Sequence, residues 1–145
     1  MLFAFPVVLD APMGQGHSET IESEARAFMA AYADDLRSGR RERIAKRYFK
    51  GGAYRVGEGQ SALEPWDVIH TYYMTQWAPP ASFDWRNLSY EPLGPDAIVV
   101  TGLFDWKTES AKGFTYSYTG LLIREDGDLR IRLEDESMKP PNGAG

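Results

Sequence analysis

Eight tyrosines and four tryptophans in 145 residues, with two histidines and no cysteine, define the chemistry this chain has at hand. Phenols donate hydrogen bonds, indoles stack on apolar molecules, and a carboxylate among them supplies an acid or a base. Disulfides, thiolate nucleophiles and thiolate metal sites are excluded. No His or carboxylate cluster has metal-ligand spacing, and the GEGQS stretch at 57–61 lacks the lysine and the strand-to-helix setting of a phosphate loop, so neither a metal nor a cofactor is expected. The formal net charge of −5 argues against nucleic acid as a partner, since that role needs basic residues to displace phosphate counterions.

Alternation along the apolar runs gives a candidate pocket. Tyr54 and Val56, Phe83 and Trp85, then Val100, Gly102, Phe104 and Trp106, then Tyr116 and Tyr118, and finally Ile131, Leu133 and Asp135 share the face turned towards the helices. Trp77 adds an indole from a helix. The result is an apolar cavity holding several phenols and one carboxylate, the usual mixture of a ligand site. Asp135 follows Leu129, Ile131 and Leu133 on one face, which predicts partial burial, a raised pKa and a role as catalytic acid or base. The bland alternative places it at the open mouth or pairs it with Arg55. His70 reads as a satisfied helix-flank histidine. The basic run Arg37, Arg40, Arg41, Arg43, Lys46, Arg47 and Lys50 reads as a solvated helix face.

The elements that must position these groups follow from spacing and breakers. Ser18 or Thr20, with Glu19, Glu22 and Glu24 behind, has the look of a capped helix start, and Ile21, Ala25, Phe28, Met29, Tyr32 and Leu36 form one buried stripe ending at Gly39. A second helix over about 40–49 buries Ile44, Tyr48 and Phe49. A short strand over 53–56 and a glycine-rich turn lead to a third helix carrying Trp66, Ile69, Tyr73 and Trp77, which Pro79 and Pro80 stop. Four strands over about 82–91, 96–108, 112–124 and 129–138 complete an α+β domain, a cone-shaped curved antiparallel sheet wrapped on three N-terminal helices. The expected organisation is a flexible arm over 1–17, one domain over 18–138 and a disordered tail over 139–145. Apolar Val99, Leu103, Leu121 and Ile123 on the convex face predict a homodimer through that face. A cytoplasmic protein without membrane attachment is expected, with export the alternative should MLFAFPVVL belong to a signal peptide.

This order of elements, with WRNLSYEPLGPDAIVVTGLFDW leading to LLIREDGDLRIRLEDESM, resembles the SnoaL-like and ketosteroid-isomerase-like members of the nuclear-transport-factor-2-like, cystatin-like superfamily. The resemblance covers about residues 19–138 and implies the fold rather than an activity. MAAYADDL is similar to the first-helix segment of ketosteroid isomerase, which implies Tyr32 as a donor to a ligand oxygen and Tyr48 and Tyr73 as the tyrosines of a hydrogen-bonded cluster. The isomerase base falls on Val56 and its protonated acid on Gly120, so steroid isomerisation itself is disfavoured. The acid, base and arginine set of epoxide hydrolases and the paired histidines of scytalone dehydratase are also missing. The expected function is binding of a small, largely apolar molecule, with isomerisation, cyclisation or dehydration by Asp135 and Tyr32. A non-catalytic homodimeric interaction or ligand-carrier domain is the alternative. The two differ in whether the cavity is open with unspent polar groups, or filled with tyrosines that satisfy one another.

Overall fold

In the computed structural model, the structure describes the backbone of residues 5–139 and the side chains of residues 19–139. Residues 140–145 of the tail expected over 139–145, and the side chains of the arm expected over 1–17, lie outside the described residues. Helix α1 (Phe5–Ser38) passes through Ser18, so the capping sequence there is not a helix start. Gly39, at φ 66°, ends it where a left-handed residue is needed. Ile21, Ala25, Met29, Tyr32, Ala33 and Leu36 are all buried along one stripe. Helix α2 (Arg41–Lys46) is shorter than its basic run, and α3 (Trp66–Thr75) starts after Pro65 in the extended conformation.

Among the described residues, six strands make one sheet in the order β2-β1-β6-β5-β4-β3, comprising β1 (Ala53–Gly57), β2 (Gln60–Glu64), β3 (Ser82–Pro92), β4 (Ala97–Lys107), β5 (Gly113–Glu125) and β6 (Asp128–Met138). The four long strands lie close to their expected positions. Strand β2 falls in what the glycines suggested was only a turn, because the Gly57 and Gly59 corner closes a hairpin instead. Strand β1 pairs with β6 in parallel, and all other pairs are antiparallel. Among the described residues, no helix is long and apolar enough to cross a membrane.

One irregularity governs the site. Leu121 pairs with Leu133 but its neighbour Leu122 pairs with Ile131, so Arg132 is an extra residue on β6. Such a bulge reverses which residues face the core beyond it. Leu129 and Ile131 point inward before it, and Glu134, only 1% exposed, points inward after it. The expected lining by Leu133 and Asp135 is therefore corrected, since both lie on the opposite face. Strand β1 follows the same register, with Arg55 beside Glu134 and Tyr54 beside Leu133. Tyr54 is 39% exposed under the Arg132 guanidinium, which overturns its expected inward position.

The basic run is largely exposed, as expected of a solvated face, but several of its arginines also hold elements together. Asp35 is completely buried and makes ion pairs with Arg47 at 2.7 Å, Arg43 at 3.2 Å and Arg40 at 3.4 Å. Arg37 donates to the Phe83 carbonyl, and Arg41 to the Tyr73 and Trp77 carbonyls, so these arginines pin α1, α2, α3 and β3 together. Replacing Asp35 by Ala should cost about 3 kcal/mol in urea unfolding, the lower end for breaking a buried ion pair because Arg40 and Arg43 can reach water. An Arg43→Ala change should cost under about 1 kcal/mol.

Candidate functional site

A hydrogen-bonded cluster floors the concave side of the sheet. The Glu134 carboxylate accepts from Tyr48 at 2.6 Å, Tyr118 at 2.8 Å and Tyr32 at 2.9 Å. Tyr73 stands 2.9 Å from the Tyr48 oxygen, and Tyr32 and Tyr48 are 3.1 Å apart. The phenols arrive from α1, the segment after α2, α3 and β5, and Glu134 from β6. Gly120 makes the arrangement possible, since a Cβ there would sit 2.6 Å from the Tyr118 hydroxyl. The position that lacks an acid thus supplies room for a phenol to reach one. Burial first, and the Glu134 charge second, push the Tyr32, Tyr48 and Tyr118 hydroxyls well above the ordinary phenol range, so they remain protonated donors. Burial raises Tyr73 too, against the Arg55 charge.

Above the cluster lies a cavity of about 330 Å³. Tyr32, Tyr73, Trp77, Trp85, Phe104, Trp106 and Tyr116 line it, together with Leu36, Phe83, Arg55 and Glu136. Its walls are interlocked: Tyr116 lies flat on Phe104 at 4.7 Å, Trp85 packs edge-on against Tyr118 at 4.8 Å, and the Trp85 indole donates to the Met29 carbonyl. Tyr48 and Tyr118 form the floor without lining the cavity, and Val100 is buried in the core beneath. Tyr54, Leu133 and Asp135 lie on the far face, where Asp135 accepts from the Ser137 hydroxyl.

The cavity's reactive groups are ones that alternation alone assigns outward. Glu136 lines it and, among the described residues, its side chain makes no hydrogen bond or ion pair. Burial, then the nearby Glu134 charge, raise its carboxyl to about 8, against the opposing pull of Arg55; Asp135 and Glu58 add to the rise. The Tyr32, Tyr73, Tyr116 and Tyr118 phenols also face this acid, all neutral in the same range. Arg55 lies over the Tyr48 ring at 5.4 Å, pairs with Glu64 at 3.6 Å and is held in its charged form by the groups around it. The signal that could have found both is the shared parity of Arg55, Glu134 and Glu136 once one extra residue is allowed in β6. His70 stacks on Trp66 at 4.9 Å and bonds Glu42 at 3.0 Å, away from the cavity. Among the described residues, no group of three or more His, Asp or Glu side chains could hold a metal ion.

No family model matches the chain, and no curated protein matches it in sequence. Solved structures do match in fold. A nuclear-transport-factor-2-like protein of unknown function from Shewanella oneidensis superposes with a TM-score of 0.69 at 15% identity, over 80% of this chain and 98% of the other. A protein of unknown function with a cystatin-like fold from Nostoc punctiforme gives 0.67 at 10% identity, over 82% and 91%. A ketosteroid isomerase-like protein from Erwinia carotovora atroseptica gives 0.63 at 14% identity, over 82% and 96%. The chain has the nuclear-transport-factor-2-like, cystatin-like fold.

A carboxyl raised from its ordinary value of 4.5 to about 8 by folding favours the folded state while it stays protonated. That stability is complete below about pH 4.5 and is lost as the pH rises through about 8. The melting temperature should therefore fall between pH 6 and 9 in the native protein, and the Glu136→Gln variant should remove most of that fall.

Proposed function

We propose that the chain binds a small, largely apolar molecule in the aromatic cavity and transfers a proton on it, in an isomerisation, cyclisation or dehydration. The observation that carries this reading is an open cavity whose wall holds an unspent carboxyl raised to about 8. Glu136 replaces Asp135 as the proton-transferring group. In its neutral form it donates to a leaving oxygen, and in its ionised form it abstracts a proton next to an electron-withdrawing group. Arg55, at the same end of the cavity, would polarise a ligand oxygen. The fold shared with a protein described as ketosteroid isomerase-like supports this class of chemistry, but the donors differ. The Tyr32 proton is spent on Glu134, so Tyr32 shapes and floors the site instead of serving as an oxyanion donor.

The alternative of a non-catalytic homodimeric interaction or carrier domain has its own support. Four of the phenols satisfy one another and Glu134, as a packed core would require. On the outer face, sheet register places Val99, Leu121, Leu133, Tyr54 and Leu63 in one row across five strands. A second copy of the chain on this row would cover it, and that dimer is compatible with either reading.

Native mass spectrometry of gently purified protein should show a dimer retaining a small molecule. On the compound so identified, Glu136→Gln should lower turnover by about 100-fold or more, and Tyr32→Phe by less than about tenfold. Equal losses in both variants would return the chemistry to the phenol, while an empty cavity that binds no apolar probe would favour the interaction domain. Leu121→Lys should give a monomer in light scattering, with the cavity unchanged.

A further inference from the structure

The pocket reading leaves the charge of the ligand open, and the groups around the cavity constrain it. Its walls are ring surfaces, among them Trp77, Trp85, Trp106 and Tyr116, and ring faces attract cations. Glu136 stands in the wall and Glu134 lies behind the phenols. An open groove between the β1–β2 hairpin and α3 adjoins the cavity, sharing Arg55, Tyr72 and Gln76 with it, and carries Glu58, Glu64 and Asp67. Among the described residues lining these spaces, Arg55 is the one cation, set against five carboxylates.

That guanidinium is already engaged. Register places it beside Glu134, it pairs with Glu64 at 3.6 Å, and it lies over the Tyr48 ring. An anion heading for Arg55 would have to pass Glu58, Glu64 and Glu136, whereas a cation meets attraction from the groove inward. Glu136 itself has no cation of its own within ion-pair distance among the described residues. The aromatic cavity is the site, and the surrounding carboxylates determine what enters it.

We infer that the cavity takes a cationic ligand, a small amine or quaternary ammonium on an apolar, ring-sized body, with the charge against Glu136 and the body among the rings. This rests on the pocket reading above and adds the substrate class to it. A proton transferred by Glu136 would then act on an amine-bearing substrate.

The test uses three probes of matched size, 2-phenylethylamine, 2-phenylethanol and phenylacetate, titrated into the full chain at pH 8 by calorimetry and by chemical-shift mapping. The amine should bind at least tenfold tighter than the alcohol, with phenylacetate weakest, and shifts should centre on Trp77, Trp106 and Glu136. In Glu136→Gln, amine and alcohol should bind within about threefold of each other, with the alcohol's own affinity preserved. Tightest binding by phenylacetate, or equal binding of amine and alcohol by the native chain, would overturn the charge assignment while leaving the pocket in place. No binding of any probe, with no shifts at cavity residues, would overturn the pocket reading and this inference with it.

Discussion

The structure depends on one buried carboxylate. Glu134 is 1% exposed and accepts hydrogen bonds from three phenols on three other parts of the chain. Removing a carboxylate from water costs several kcal/mol, and hydrogen bonds to a charged acceptor return about 1.5–3 kcal/mol each. Three such bonds offset the cost only when every phenol is held in place. The arginines on Asp35 hold the helices, the Gly120 gap admits Tyr118, and the parallel pairing of β1 with β6 sets Arg55 alongside. Each of these features reads as support for that single acceptor.

The consequence is a division of labour between two glutamates two residues apart on one strand. Glu134 accepts the phenolic hydrogen bonds and fixes the floor of the cone. Glu136, two residues on along the strand and in the cavity wall, is held in its neutral form first by burial and then by the field of Glu134, and so keeps its own proton up to about pH 8. Burial beside a like charge is a recurrent way to place an acid or base near neutrality. The cavity above needs little more than rings, because its polar end is already built.

Much of this was legible in the residues. The buried stripe of α1, the four long strands and the inward phenols at 32, 48 and 73 follow from apolar spacing and from the resemblance of MAAYADDL to a known first-helix segment. The chemistry was displaced by one residue. Strict alternation through Leu129, Ile131 and Leu133 points to Asp135, and a single extra residue at Arg132 moves the inward set to Glu134 and Glu136. Bulges arise from tertiary pairing with β1 and β5, so no local propensity announces them. The exposed basic run was legible, but its anchor was not: Asp35 sits on the buried stripe of α1, and only packing shows that it gathers Arg40, Arg43 and Arg47 from around α2.

The most direct measurement is an NMR titration of the Glu136 side-chain carboxyl carbon in the intact chain, with Glu136→Gln used to assign the signal. A midpoint near 8 is expected. A midpoint near 4.5, the ordinary value for a glutamate, would show an unperturbed surface acid and would contradict the account of Glu136 as the cavity's proton-transferring group.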